Sequence, residues 1–305
     1  MLHRPYGNNG RTISSIAVQL DDARGDVSYE TWRARVRTAI LQGVTAFEVV
    51  TASKALAEAL GVEVAPFDQA GFVVSWRLRA AGRSAITGLD IADAVDQALD
   101  WTGLSSLDIL MLEGDVYKAL EPTAWDVLES LARTGGFERL GIVGGESAAD
   151  LCLSDRRFTA LKTFYGIGDN QVLRRKIIEA SRLDTIVLAR AYFGSLAEAD
   201  APRSLLSEIK DLLGFGASTL HDHATALDFL KTTPGWTAED LNLACLLTDP
   251  VITAAVIETI DAEAIARLSR SIERELPKSI FAHLEIARTA GALLDSRKSG
   301  RKQVR

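Results

Sequence analysis

A single closed barrel of eight parallel strands, each followed by a helix, is the fold class the sequence predicts, an α/β architecture. Two observations carry it. Short β-rich runs alternate with longer amphipathic stretches from about residue 30 to about residue 200, the rhythm of strand–helix–strand crossovers. No break interrupts that alternation: Pro and Gly are scattered rather than clustered, so one closed sheet explains 305 residues better than two open ones.

The strand candidates are 44–50, 71–78, 107–112, 139–143, 160–164 and 185–189. Between them, 29–42, 91–102 and 123–134 carry apolar residues at three- and four-residue spacing, as one-sided helices do. The stretch 191–234 departs from the rhythm, with Gly214, Phe215 and Gly216 between helical patterns. It is expected to be an enlarged loop and helix of the kind that covers the C-terminal mouth of a barrel. Residues 1–290 are expected to form one unit, and 291–305 a basic, disordered tail whose bland role is solvation and whose rarer one is a peptide contact.

Composition narrows the function classes. With 47% apolar and 25% charged residues the chain has ample material for a core. Charges interrupt every apolar run well short of a membrane span, and no long apolar stretch follows Met1 as a secretion signal would. A formal charge of −7 argues against a nucleic-acid surface. Cys152 and Cys245 stand in no paired motif, which suits a reduced, cytoplasmic setting. His3, His221, His223 and His283 do not make a metal set; the pair at 221 and 223 is two ligands short of a closed zinc site.

Several stretches, in order, carry a family resemblance. MLHRPYGNNGRTISS at 1–15 reads as an opening hairpin, and AILQGVTAFE at 39–48 as a helix-to-strand turn. LSSLDILML at 104–112, LARTGGFERLGI at 131–142 and TAEDLNLACLLTDP at 237–250 follow. Together they resemble the landmarks of the aldo-keto reductases, over about residues 1–270, which implies a (β/α)8 TIM barrel of aldo-keto reductase type. The family reduces carbonyls with a nicotinamide dinucleotide, using an aspartate, a tyrosine, a lysine and a histidine.

Matching motif to motif puts Glu48 at the aspartate position, Ser53 at the tyrosine, Arg77 (in VVSWR, 73–77) at the lysine and Glu113 at the histidine. A serine hydroxyl is a far weaker acid than a tuned phenol. Arginine keeps its charge but is no proton source near neutrality. An ionised Glu113 opposes developing alkoxide charge. No catalytic residue of the usual set is therefore expected. Each position also has an ordinary reading. Glu48 and Arg77 make a structural ion pair at the barrel floor, Ser53 an N-cap, and Glu113 a loop carboxylate. Tyr117 is a conceivable substitute acid and more simply a surface tyrosine.

The resemblance places the nicotinamide clamp at Val143 and Gly144, the family's glutamine at Lys162, and the stacking ring at Arg190. The pyrophosphate loop falls at Gly194 and Ser195, and the adenosine segment VIETIDAE at 256–263 offers Glu258 and Asp261 but no base. If a dinucleotide binds, NAD is therefore expected over NADP, since a 2′-phosphate calls for Arg or Lys. A frame retained while its catalytic residues are replaced resembles the KidO-like cell-division regulators. Those proteins imply NAD(H) sensing and protein partners, the division tubulin FtsZ and a histidine kinase. The alternative is an active NAD(P)H-dependent carbonyl reductase with unorthodox residues; a third is an interaction domain without a ligand.

Overall fold

The computed structural model describes residues 1–23, 25–80, 82–166, 171–191, 229–258 and 261–284. Strands β1 (His3–Pro5) and β2 (Thr12–Ser14) pair antiparallel as the opening hairpin. Gly7 and Gly10 turn the chain between them, both at positive φ, where glycine carries no Cβ penalty. The hairpin side chains Tyr6 and Ile13 are buried against the lowest residues of the barrel interior and plug its N-terminal end.

Eight parallel strands then close into a barrel. They are β3 (Ile16–Asp21), β4 (Ala46–Thr51), β5 (Val73–Leu78), β6 (Leu107–Leu112), β7 (Phe137–Val143), β8 (Phe158–Tyr165), β9 (Ile186–Ala191) and β10 (Ala254–Ile257). β10 pairs with both β9 and β3 and seals the ring. The six expected strands lie within about two residues of their sequence positions. Two staves have no counterpart among those six. β3 follows the hairpin with no helix before it, so the strand–helix rhythm does not announce it. β10 is four residues long and overlaps the start of the segment matched to an adenosine site.

Helices α1 (Tyr29–Leu41), α2 (Lys54–Val64), α3 (Gly88–Thr102), α4 (Gly114–Ala119), α5 (Pro122–Thr134), α6 (Glu146–Ser154) and α7 (Gln171–Arg182) surround the strands. Among the described residues, α8 (Phe229–Thr232), α9 (Ala238–Leu246) and α10 (Ala262–Ser271) follow β9. Their ends are set locally. Thr87 and Asp90 form a reciprocal capping box on α3, which stops at Gly103 in the left-handed region. Pro122 opens α5, and Gly135, at φ 86°, ends it.

The core has two layers. Residues of one strand parity (Ile16, Val18, Phe47, Val49, Val74, Leu110, Leu161, Val187) face the helices. The other parity (Ala17, Ala46, Val73, Ile109, Met111, Ala160, Leu188, Val256) fills the lumen. No helix among the described residues is long and apolar enough to cross a membrane, and Cys152 and Cys245 are both buried. Most of 191–234, the basic tail, Gly194, Ser195, His221 and His223 lie outside the described residues.

α2 and α3 touch where Gly61 meets the end of α3. A Cβ at Gly61 would lie 1.8 Å from the Thr102 carbonyl oxygen. Gly61→Ala is therefore expected to lower unfolding stability by about 1–3 kcal/mol despite alanine's better helix propensity. Gly71→Ala, with nothing within 4 Å, should be neutral in the same urea titration.

Candidate functional site

Strand parity carries the lumen upward from apolar to charged. Two residues beyond Ala17, Ala46, Met111, Ala160, Leu188 and Val256 stand Gln19, Glu48, Glu113, Lys162, Arg190 and Glu258; β5 adds Ser75 and Arg77 above Val73. Side chains two apart on a strand share a face, so these groups ring the C-terminal half of the barrel. That is the end where barrels of this kind hold their chemistry.

At the centre is the Glu48 carboxylate, with a side chain wholly inaccessible to solvent. One oxygen accepts from Arg77 Nη2 at 2.6 Å; the other accepts from Lys162 Nζ. Lys162 also donates to Gln19 Oε1 at 2.8 Å. Arg77 reaches outward with Nη1 to Glu113 Oε1 at 3.2 Å, and Arg79 approaches the other Glu113 oxygen at 3.8 Å. Across the mouth, Arg190 pairs with Glu258 and lies over the Phe164 ring, 4.7 Å from its centre. Three carboxylates thus meet three inward cations. Among the described residues, Ser75 Oγ and Arg77 Nε are buried without a hydrogen-bond partner, as are one oxygen each of Asp21 and Asp22 at the end of β3.

Burial pushes the Glu48 carboxyl up, but Lys162 and Arg77 together outweigh it and hold the group below the usual carboxylate range. Burial likewise pulls the Lys162 ammonium down; Glu48 opposes this, Arg77 adds to it, and the result is about 8. Arg77 is desolvated too, yet Glu48 and Glu113 raise it above its ordinary value. One cation in the ring can therefore lose its proton near neutrality, and it is Lys162.

The expected site residues separate into those the fold brings together and those it does not. Glu48 and Arg77 pair as anticipated, but above the apolar plug rather than at the barrel floor, which Tyr6 and Ile13 occupy. Ser53 caps α2, accepting from Leu56 N at 3.2 Å, and its hydroxyl donates to Asp22. Glu113 is no free loop carboxylate, because it holds Arg77. Tyr117 packs edge-on against Trp125 and Phe158 and is no acid for the lumen. Val143 packs against the lumen cluster, and the Gly144 amide donates to the Lys162 carbonyl at 2.9 Å. Lys162, matched to a cofactor-holding glutamine, is instead the second partner of Glu48. Arg190 and Glu258 neutralise one another, so the adenosine segment does have a base beside it. Asp261 caps α10, accepting from the amides of Glu263 and Ala264. His3 and His283 are far from the ring, His283 stacking on Phe229, and no metal-binding cluster occurs among the described residues. Sequence matching missed Gln19 and the bond from Lys162 to Glu48. Parity on the expected strand at 160–164 could have turned Lys162 inward, two beyond Ala160, but not named its partner, and Gln19 lies on β3, which is not among the expected strands.

Removing the anion from this cluster leaves two buried cations facing one another. Glu48→Gln is therefore expected to cost about 3–5 kcal/mol of stability. Lys162 adds a pH dependence. Between about 8 and the ordinary 10.5, only the unfolded chain keeps the lysine proton. Unfolding then takes up a proton, so stability rises with pH across that window, and the burial penalty is fully present below it. Urea titrations at both ends of the window should show the rise in wild type and its loss in Lys162→Met. An unchanged slope in the variant would place the titration elsewhere.

A crystal structure of a thermostable aldo-keto reductase in complex with the inhibitor epalrestat superimposes with a TM-score of 0.67, covering 95% of this chain and 100% of that one at 14% identity. No protein-family model matches the sequence, and no curated protein does. At that identity the likeness speaks for the frame alone: the chain folds as a parallel (β/α)8 TIM barrel, the frame it shares with that reductase.

Proposed function

We propose that this barrel is a regulatory protein on an oxidoreductase-type scaffold, one that does not reduce carbonyls. The observation that carries the reading is the fate of the four tetrad positions. Ser53 caps a helix, while Glu48, Arg77 and Glu113 are tied into one ion-pair chain with Lys162. General acid catalysis and oxyanion stabilisation each supply on the order of a hundredfold or more, and they act as a set. Tyrosine restored at Ser53 alone is expected to stay untuned, because Arg77 and Glu113 stand where the lysine and histidine would be needed.

The nicotinamide group does not fit the described residues at its clamp positions. Val143 offers an apolar side chain, Gly144 none, and Lys162 is held by Glu48. NAD(H) accordingly enters the proposal as a ligand to be sensed, on the strength of the family resemblance, and no hydride step is derived. The preference for NAD over NADP rests on the resemblance that matches Glu258 and Asp261 to the adenosine end, and the Arg190 paired with Glu258 weighs against it. By the same resemblance the partners are proteins of bacterial cell division, FtsZ and a histidine kinase, with cytoplasmic localisation.

A second reading has one specific observation behind it. Lys162, with a pKa near 8, is a tunable proton donor in the lumen, so a carbonyl reductase with a lysine acid is chemically coherent.

Tryptophan fluorescence titrations with NADH and NADPH, paired with consumption assays over a broad aldehyde and ketone panel, separate the two. NADH is expected to bind more tightly than NADPH, without turnover above background. Robust turnover that Lys162→Met abolishes would establish the reductase instead. Equal or tighter binding of NADPH would remove NAD selectivity.

A further inference from the structure

Lys162 has a chemistry that ion pairing alone does not use. It projects from β8 into the lumen with a side chain 4% exposed, between Leu188 and Val143 on the adjoining staves. Exposure then grades outward: 11% at Arg77, 24% at Glu113, 30% at Arg190 and 32% at Glu258. After Glu48, the amine of Lys162 is the most enclosed of these charged groups. Ser75 lies in register with Glu48 on the next stave, and among the described residues its hydroxyl has no partner. The guanidinium of Arg77 gives Nη1 to Glu113 and Nη2 to Glu48, leaving a buried Nε–H with nothing to bond. A buried donor left unmet costs about 1–3 kcal/mol, so such atoms point to a polar guest.

We propose that Lys162 is a covalent binding site that forms a reversible imine with a 2-oxo acid. The amine meets the ketone carbon, and the carboxylate beside that ketone receives the free Nε–H of Arg77. The step balances without an oxidant or reductant. The nitrogen lone pair of Lys162 bonds to the carbonyl carbon, and the C=O π pair moves to oxygen. A proton passes from nitrogen to that oxygen, giving a carbinolamine. The hydroxyl leaves with a second proton as water while the nitrogen lone pair closes the C=N bond. Glu48, which already accepts a hydrogen bond from the amine, is the group placed to pass these protons on.

The amine must be neutral to attack. A lysine at its ordinary pKa presents fewer than about one neutral molecule in a thousand at pH 7, whereas one near 8 presents about a tenth. The charged groups that set this are Glu48 on β4, Arg77 on β5 and Glu258 after β10, with Gln19 on β3 a neutral acceptor. Glu113 and Arg190 complete the ring. Imine capture requires no bound dinucleotide and is independent of the regulatory reading. A barrel that captures a carbonyl without reducing it would still sense one.

The test is reductive trapping of the purified full-length chain. Pyruvate plus sodium borohydride should add the mass of one reduced 2-oxo acid, and peptide mapping should place it at Lys162. Labelling should rise with pH through about 8, the pKa of that amine. Lys162→Arg, which keeps the charge opposite Glu48, should fold by circular dichroism and take up no label. Arg77→Lys keeps a cation but lacks the Nε–H. Its pyruvate labelling should fall about tenfold while acetone labelling, which needs no carboxylate contact, stays level. Unlabelled wild type at saturating pyruvate would overturn the proposal, as would equal labelling of Lys162→Arg. Wild-type labelling by acetone as efficient as by pyruvate would overturn the assignment to 2-oxo acids.

Discussion

The carboxylate of Glu48 is the constraint around which the upper half of this barrel is arranged. It is a full charge with no access to water, in a lumen whose lower layers are alanine, valine, isoleucine and leucine. Isolated, such a charge would neutralise or unfold its surroundings. It persists because both oxygens are met, one by Arg77 and one by Lys162. Each cation is then itself desolvated and passes its demand outward, Arg77 to Glu113 and Lys162 to Gln19. The chain of compensation ends only at the rim, where solvent takes over.

Much of the frame was legible in the sequence because its determinants are local. The runs at 107–112 and 185–189 read as staves from residue type alone, and Thr87, Pro122 and Gly135 mark helix ends within a turn of the residues they serve. β3 and β10 escaped for the opposite reason. One follows a hairpin rather than a helix, and the other is too short to show a pattern.

The candidate site divides along the same line. Ser53 as an N-cap and Glu48 with Arg77 are relations within one helix end and between neighbouring staves, so a motif match could reach them. Lys162 and Glu48 are 114 residues apart, and Arg190 and Glu258 are 68 apart. Strand parity says that Lys162 and Glu48 both point inward. It says nothing of which inward residue faces which across the lumen, because that depends on the tilt and stagger of the closed sheet. Position-by-position matching therefore labelled Lys162 by its place on β8, when its role is set by an oxygen on β4.

Glu48 and its two cations also determine which group in the lumen can titrate. On β5 arginine stands in the matched position, and its charge is fixed at any pH the fold survives. Were it the only partner of Glu48, the site would hold a permanent ion pair and nothing that titrates. Lys162 enters from the other side of the carboxylate, and Arg77 acts on it as a neighbouring positive charge that helps pull its pKa down. The arginine thus has two effects at once: it keeps Glu48 ionised, and it makes the lysine the easier of the two cations to deprotonate. A lysine paired with Glu48 alone would be held protonated more firmly. Arginine on β5 and lysine on β8 thus divide the work around Glu48: one holds its charge, and the other is the cation whose pKa the lumen lowers.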